Sequence, residues 1–268
     1  MQTNTGKILS YYEDFTTRVG EDNRATNSRT EGLEFHYTKQ AMSEHINANS
    51  RVLEVGCGTG YYGMYFADKC KEYVGIDLFP QHIDIFRRKI EEQGLNNLSC
   101  RIGDATNIED IEENSFDVVC CFGPLYHLPA EDREIVFAEC NRVCKPGGVI
   151  AFAYINKIGV YVGACVHDNL REIYPSQRAN DTVLALGIND DARPFYFTTP
   201  EEMEIAAACH GLTKIRNMGT DFFVTMSVVD KMDDDKFALF MKLSDEMVKH
   251  ESCTGMSNHA LLICKKEF

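Results

Sequence analysis

Apolar runs and amphipathic runs alternate through the middle of the chain. The stretch "RVLEVG" (51–56) buries valine and leucine and then stops at glycine, which is the pattern of a core strand. The run "FDVVCCFG" (116–123) is apolar almost throughout, as expected for a parallel strand covered on both faces. Parallel strands need crossover helices, so the alternation predicts a doubly wound, mostly parallel α/β sheet. The five predicted strands are 51–56, 71–78, 98–106, 116–123 and 149–155, and the helices between them are 59–70, 80–94 and 130–148.

The segments on either side of this core have a looser pattern. Residues 1–48 are polar with scattered aromatic side chains, and they predict one or two short helices. Beyond the fifth strand, Thr199 reads as the N-cap of a helix that has Pro200 at its first position. The other predicted elements are helices over 159–174 and 232–251, a strand over 213–219, and a last, antiparallel edge strand over 258–266.

Composition narrows the function classes. The chain has 268 residues, 44% of them hydrophobic, so it is long enough to bury a substantial core. A net charge of -14 argues against nucleic acid and anionic membranes as partners. The eleven cysteines include no Cys-x-x-Cys pair, and we find no ligand set for a metal. With no apolar signal core and no run of about 20 apolar residues, we expect a cytoplasmic protein. The oligomeric state is not predicted.

Three glycines at every second position follow the first strand. Gly56, Gly58 and Gly60 each cost about 0.5–1 kcal/mol relative to alanine in regular structure, so something must approach the backbone closely here. A strand, a glycine turn and a helix together make a nucleotide site. A dinucleotide-binding fingerprint needs a glycine where Tyr61 stands, which argues against an NAD-dependent dehydrogenase, and no Walker lysine is present.

The stretch "EVGCGTG" (54–60) resembles the first motif of the class I S-adenosylmethionine-dependent methyltransferases, E/D-x-G-x-G-x-G. "GDA" (103–105), "FDVVCCFGPLYHL" (116–128) and "CNRVCKPGGVIAF" (140–152) resemble later motifs of the same family. The resemblance implies a Rossmann-like, seven-stranded methyltransferase sheet with an N-terminal helical lid over 1–48 and the methyltransferase domain over 49–268. Within that domain the core is 50–155, with late insertions at about 156–198 and 220–258.

The resemblance also assigns roles around the cofactor, S-adenosyl-L-methionine, which leaves as S-adenosyl-L-homocysteine. Glu54 would support the amino end of the donor, although a loop-fixing carboxylate is the alternative. Asp77 would accept both ribose hydroxyls, and Asp104 the adenine amine, with a turn-stabilising role as its alternative. The full set of expected cofactor-binding residues is Glu54, Gly56, Cys57, Gly58, Gly60, Asp77, Leu78, Gly103, Asp104, Ala105, Phe122 and Gly123.

The acceptor side is less defined. Many nucleic-acid amine methyltransferases carry N/D-P-P-Y/F after the fourth strand, whereas this chain has Gly-Pro-Leu-Tyr at 123–126. That form resembles a small-molecule branch related to the quinone-biosynthesis enzymes. His127 is a candidate general base or a packing residue, and Tyr126 is expected to pack near the methyl group. Further candidates are Arg24 or Arg29 for the methionine carboxylate, Phe195, Tyr196 and Phe197 for the acceptor pocket or the core, and His36, His167 and Asp191 as bases.

The sequence therefore predicts an enzyme that transfers a methyl group from S-adenosylmethionine to a small molecule. Such a transfer is an in-line displacement, so positioning does most of the work and a base removes a proton where the acceptor requires it. Two alternatives stay open. One is a protein- or RNA-directed methyltransferase, and the other is a non-catalytic module that binds S-adenosylmethionine.

Overall fold

The computed structural model describes residues 3–18, 20–160, 184–188, 194–222 and 228–267, and elements are numbered over these residues. Most of the helix predicted over 159–174 lies outside them. The helices are α1 (Asn4–Arg18), α2 (Arg24–Asn27), α3 (Arg29–Met42), α4 (Tyr61–Phe66), α5 (Pro80–Gln93), α6 (Ala130–Val143), α7 (Pro200–Cys209) and α8 (Asp234–Met247). The strands are β1 (Arg51–Val55), β2 (Glu72–Asp77), β3 (Leu98–Ile102), β4 (Phe116–Cys121), β5 (Cys144–Ile155), β6 (Leu212–Gly219) and β7 (His259–Lys266).

The seven strands form one sheet in the order β3-β2-β1-β4-β5-β7-β6. The first five strands pair in parallel, which confirms the doubly wound α/β prediction. Strand order reverses between β1 and β4, where the chain leaves toward opposite edges of the sheet. Such a switch point opens a crevice at the carboxyl ends of the strands, which is where ligands bind in this architecture.

The last strand corrects one prediction. β7 is antiparallel as expected, but it lies between β5 and β6 rather than at the edge of the sheet. Residues 260–264 of β7 are all buried, as a strand with neighbours on both sides requires. The strand at this edge of the sheet is β6, which exposes residues 213–215.

The boundary between α6 and β5 also differs from the prediction. The helix ends at Val143 instead of continuing to Gly148, and β5 begins at Cys144. Pro146 has no amide hydrogen for a helix. Lys266 Nζ instead donates to two carbonyl oxygens at the end of the helix, those of Asn141 at 2.7 Å and Cys144 at 2.9 Å.

Apolar side chains cover both faces of the sheet. On one face, Val52 and Cys120 pack with side chains from α3 to α5, and Phe86 is fully buried among them. On the other face, Leu53 and Val119 pack with α6 and α7. Two predicted helix ends are confirmed: Thr199 and Glu202 form a capping box on α7, and Gly94 ends α5 with φ of +62°.

The N-terminal residues form three helices rather than one or two short ones. They lie over the carboxyl ends of the parallel strands: Asn4 Nδ2 donates to the backbone oxygen of His127 at 3.0 Å, and Asp22 pairs with Lys89 of α5. We call residues 3–27 the cap. Because the cap covers the switch point, whatever binds there is enclosed. In the described part of the chain no helix is long and apolar enough to cross a membrane.

Candidate active site

One pocket lies at the switch point beneath the cap. The loops after β1, β2, β3 and β4 supply its floor, and α1, α2 and α3 supply its roof. Every expected cofactor-binding residue except Gly60 lines it, as do Tyr126 and His127. Residues that the sequence places far apart are therefore brought to one cavity by the parallel topology.

Each of the three motif positions requires a glycine for a different physical reason. Gly56 has φ of +81°, and a Cβ there would lie 2.5 Å from Pro124 Cδ, so this glycine allows the β1 loop to pass the β4 loop. Gly58 has φ of +50°, and a Cβ there would meet no atom within 4 Å, because the position faces the open pocket. Gly60 has φ of +83° and packs on Phe86, outside the pocket lining. Only Gly56 and Gly58 are therefore placed to contact a ligand.

Asp77 ends β2 and lies at the centre of the pocket floor. Its Oδ2 accepts from the amide of Gly58 at 2.8 Å, and its Oδ1 accepts from the amide of Phe79 at 2.9 Å. The ring of His82 is bonded to the same Oδ1 through Nδ1 at 3.2 Å. One carboxylate therefore joins the glycine loop after β1 to the start of α5.

The other two predicted carboxylates differ in burial. Glu54 is 1% exposed, and Tyr73 donates to its Oε2 at 2.8 Å. Burial raises the pKa of Glu54 to about 8, so its carboxyl is largely protonated at neutral pH in this state. Asp104 is partly exposed, and its Oδ1 accepts from the amide and the hydroxyl of Thr106. The turn-stabilising role of Asp104 is thus real, and both of these bonds fall on Oδ1.

His127 and Tyr12 form a hydrogen-bonded pair in the pocket, beyond the carboxyl end of β4. His127 Nδ1 lies 2.7 Å from the carbonyl oxygen of Pro194, so Nδ1 carries the proton and donates. Nε2 then accepts from the hydroxyl of Tyr12 at 2.8 Å. Burial lowers the pKa of His127 to about 4, which keeps the ring neutral at physiological pH. Burial also raises the pKa of Tyr12.

Arg24 is held within the cap rather than left open toward a ligand carboxylate. It pairs with Glu34 at 2.7 Å and with Glu21 at 3.3 Å, and its guanidinium lies 5.1 Å from the ring centre of Phe35. Arg29 lies in a separate groove, where it bonds to the carbonyl oxygen of Met232. The prediction that an arginine pairs with the methionine carboxylate gains no support from these contacts.

The remaining candidates fall in several places. His36 lines the same separate groove as Arg29. His167 and Asp191 lie outside the described residues. Phe195 packs against Tyr126 and His127 at ring-centre distances of 6.4 Å and 4.8 Å, beside the pocket. Tyr196 points to Asn4 of the cap, and Phe197 is buried, so this stretch serves both the cap contact and the core.

The pocket residues that were not predicted from the sequence include three with acidic or imidazole side chains: His82, Glu21 and Glu34. His82 is in the first turn of α5, five residues after Asp77, and that spacing is a signal that could have found it. Glu21 and Glu34 reach the pocket only because the cap folds back over the sheet. Nothing local in the sequence indicates that contact.

Comparisons with known proteins agree with this geometry. Residues 52–148 match the family model described as "Methyltransferase domain". The chain carries a class I S-adenosylmethionine-dependent methyltransferase domain. The ubiquinone biosynthesis O-methyltransferase of Actinobacillus pleuropneumoniae serotype 7 (strain AP76) is 34% identical over 114 residues. That match covers 40% of this chain and 46% of the relative, so the chain spans about half of that relative's length.

Solved structures show the same fold at low identity. Haemonchus contortus phosphoethanolamine N-methyltransferase 2, in complex with S-adenosyl-L-methionine, superposes with a TM-score of 0.62 at 16% identity, over 96% of this chain and 60% of that chain. The [4+2]-cyclase SpnF superposes with a TM-score of 0.62 at 16% identity, over 98% and 97% of the two chains. A cyclase among the neighbours shows that the fold alone does not fix the reaction.

The pocket of the methyltransferase domain has two features that favour a polar ligand. Gly58 leaves open space next to the backbone, so a ligand can approach the loop closely. Two buried polar atoms in the lining, His82 Nε2 and Glu21 Oε2, have no hydrogen-bond partner among the described residues. A buried polar atom without a partner costs about 1–3 kcal/mol, so both atoms favour a polar ligand. The family and these features together support S-adenosylmethionine as the cofactor.

Proposed function

We propose that this chain transfers a methyl group from S-adenosylmethionine to a small-molecule acceptor. The observation that carries the proposal is the pocket that brings the glycine loop, Asp77 and Asp104 together with the Tyr12–His127 pair beneath the cap. The first three features suit the donor, and the pair suits proton removal from an acceptor. A pure binding module has no need of the last feature.

The chain binds and orients the donor through hydrogen-bond acceptors, apolar surface and charge. S-adenosylmethionine supplies an activated methyl group on a sulfonium centre. Asp77 accepts from the ribose, Asp104 Oδ2 accepts from the adenine amine, and Leu78 and Ala105 offer apolar surface to the base. Glu54 is protonated without a ligand, and a cationic amino group beside it would favour its ionised form. The cap excludes water, which strengthens each of these interactions.

Tyr12 and His127 offer a route for the acceptor's proton. As the acceptor atom attacks the methyl carbon, the hydroxyl oxygen of Tyr12 takes the acceptor's proton and passes its own proton to His127 Nε2. The ring then becomes an imidazolium with both nitrogens bonded, and the bond to Pro194 and the charge of Asp77 favour this cation against the burial that lowers the pKa of His127. The name of the curated relatives places hydroxyl acceptors first among those to test.

The acceptor class follows from enclosure and charge. The cap residues Ile8, Tyr12 and Glu21 line the pocket, so a bound molecule is partly covered, which suits a small molecule better than a folded macromolecule. The net charge of -14 also disfavours RNA. A protein-directed enzyme is the second candidate, since a flexible peptide end can enter a covered pocket.

Replacing Asp77 with alanine should weaken S-adenosylhomocysteine binding at least tenfold, about 1.4 kcal/mol, because the ribose loses a charged acceptor. Calorimetry with S-adenosylhomocysteine measures this directly. Asp117→Ala is the matched control: Asp117 is a β4 carboxylate bonded to Arg51 and Lys145, outside the pocket. Equal affinities in wild type and Asp77→Ala would contradict the ribose assignment.

Replacing Tyr12 with phenylalanine should lower kcat about 100-fold while S-adenosylhomocysteine affinity changes less than about twofold. The substitution removes only the hydroxyl that joins the acceptor to His127, and general-base catalysis contributes about 10²–10⁴-fold. Tyr196→Phe is the control, since its hydroxyl contacts Asn4 beside the pocket without lining it. A wild-type kcat in Tyr12→Phe would leave the pair a packing role only.

The function itself is tested by measuring S-adenosylhomocysteine release from added S-adenosylmethionine. Metabolite, RNA and protein fractions of a cell extract are offered separately. Turnover with metabolites supports the proposal and yields a fraction from which to purify the acceptor. Turnover only with RNA or protein would overturn the small-molecule assignment. Donor binding without turnover in any fraction would favour the binding module.

A further inference from the structure

The carboxylate of Asp77 has little capacity left for a ligand. Two carboxylate oxygens offer about four hydrogen-bond sites. Three are used by donors among the described residues: one on Oδ2 by the amide of Gly58, and two on Oδ1 by the amide of Phe79 and by His82 Nδ1. One site remains, on Oδ2. A ribose presents two adjacent hydroxyls, so the second hydroxyl needs another partner.

The ring of His82 supplies such a partner at the right place. His82 is 2% exposed and lines the pocket, and its Nε2 is buried with no partner among the described residues. The bond from Nδ1 to Asp77 fixes one edge of the ring. Tyr12 and Phe79 hold its faces and edges in T-shaped contacts, with ring centres 5.2 Å and 4.9 Å away. The unpartnered nitrogen is therefore held rigidly beside the carboxylate.

We propose that His82 is a donor-binding residue, whose Nε2 bonds one ribose hydroxyl of the donor while Asp77 Oδ2 accepts from the other. The inference rests on the proposed function, because it takes S-adenosylmethionine as the donor. A hydroxyl both donates and accepts, so it satisfies Nε2 whether or not that nitrogen carries a proton. Binding the ribose then removes the cost of a buried polar atom that the ligand-free pocket bears.

Glu21 is the rival for the same hydroxyl. Its Oε2 is also buried without a partner among the described residues, and its Oε1 is bonded to Arg24. Burial raises the pKa of Glu21, which makes it a weaker acceptor for part of the pH range. His82 is favoured because it is bonded to Asp77 itself and belongs to the sheet-packed α5, whereas Glu21 belongs to the cap and keeps 15% of its side chain exposed.

The test uses S-adenosylhomocysteine and its 2′-deoxy and 3′-deoxy analogues, with affinities measured by calorimetry. Wild type should bind each deoxy analogue about fivefold to tenfold more weakly than the parent. In His82→Phe, which keeps an aromatic ring against Tyr12, one of the two penalties should vanish and the other should persist. His210→Phe is the matched control, because His210 also pairs with a carboxylate and stacks on Phe137, outside the pocket. It should keep both penalties.

Two outcomes overturn the proposal while leaving the donor assignment intact. In the first, His82→Phe still binds both deoxy analogues more weakly than the parent ligand. In the second, one of these two losses of affinity disappears in Glu21→Gln but not in His82→Phe. Failure of wild type to bind S-adenosylhomocysteine would instead overturn the proposed function, and this proposal with it. A crystal structure of the wild-type complex tests the proposal without depending on whether any variant folds. It should place Nε2 about 2.7–3.2 Å from O2′ or O3′, and a separation beyond about 3.5 Å contradicts the assignment.

Discussion

Replacing Gly60 with alanine is expected to lower the free energy of unfolding by about 2–5 kcal/mol. The backbone at Gly60 has φ of +83°, which costs an L-residue about 1–2 kcal/mol. The new Cβ would also lie 2.0 Å from Cδ2 of Phe86, a fully buried ring in the core. Overpacking of this kind costs about 1–3 kcal/mol more. Urea denaturation of the two proteins measures the difference.

Gly58→Ala should lose little stability but much ligand affinity. A Cβ at Gly58 meets nothing within 4 Å, so the variant should lose only about 1–2 kcal/mol from its positive φ. Its methyl group enters the space that we assign to the donor, so S-adenosylhomocysteine affinity should fall at least about tenfold. Gly94→Ala is the matched control, since Gly94 has φ of +62° and open space but ends α5 away from the pocket. It should bind the ligand as wild type does.

Either of two results would contradict this division of roles. A Gly60→Ala protein as stable as wild type would mean that Phe86 moves without cost. A Gly58→Ala protein with wild-type affinity would mean that the loop after β1 does not face the donor. The contrast matters because the sequence motif treats both glycines alike, whereas in the structure Gly58 lines the pocket and Gly60 packs against Phe86 in the core.

The parallel half of the fold is readable from the sequence because its determinants are local. Val118 to Cys121 form an unbroken apolar run, and Val52, Leu53 and Val55 are apolar and buried on either side of Glu54, as strands covered on both faces require. Thr199 and Gly94 mark helix ends with their own side chain or backbone freedom. The place of β7 is not local: an antiparallel strand inserts wherever the sheet has room, and its sequence is equally apolar at an edge or in the centre.

The candidate site divides in the same way. Asp77 and Asp104 end or follow strands whose order is fixed by crossover helices, so their convergence was predictable. The bond between Tyr12 and His127 joins residues 115 positions apart and depends on how the cap folds back. His82 lay within reach of sequence reasoning, yet its value comes from the hydrogen bonds already made to Asp77. The bonds to Gly58, Phe79 and His82 leave the carboxylate a single acceptor site among the described residues, and no sequence pattern indicates this.

His259 should make the protein less stable as the pH rises from 6 to 9. His259 Nδ1 lies 2.7 Å from Asp221 Oδ2 and 4.0 Å from Glu34 Oε2. Burial alone would lower its pKa, but the two carboxylates outweigh burial and raise the pKa of His259 to about 9. The unfolded chain releases this proton near pH 6.5, whereas the folded chain holds it to about pH 9. The folded state therefore binds more protons in that window.

The sign of the effect follows from that difference in bound protons. Stability from His259 is complete below pH 6.5 and is lost as the pH rises through 9, by about 3 kcal/mol in total, since the pKa rises from 6.5 to about 9 and each pKa unit corresponds to about 1.36 kcal/mol. Glu54, with its raised pKa, contributes a slope of the same sign up to about pH 8. The informative quantity is therefore the wild-type slope minus the slope of His259→Gln, which removes only the imidazole's share.

The glutamine variant should be less stable than wild type at pH 6, because the amide carries no charge for Asp221 and Glu34. By pH 9 the gap between the two proteins should shrink by about 2–3 kcal/mol, as wild type loses its imidazolium. His45→Gln is the control: burial lowers the pKa of His45, so its proton effects lie below pH 6.5 and the slope above that pH should be unchanged. A constant gap between wild type and His259→Gln from pH 6 to 9 would show that His259 binds protons equally in the folded and unfolded states, so that its pKa is not raised. Glu34 would then hold Arg24 over the pocket without a cationic histidine behind it.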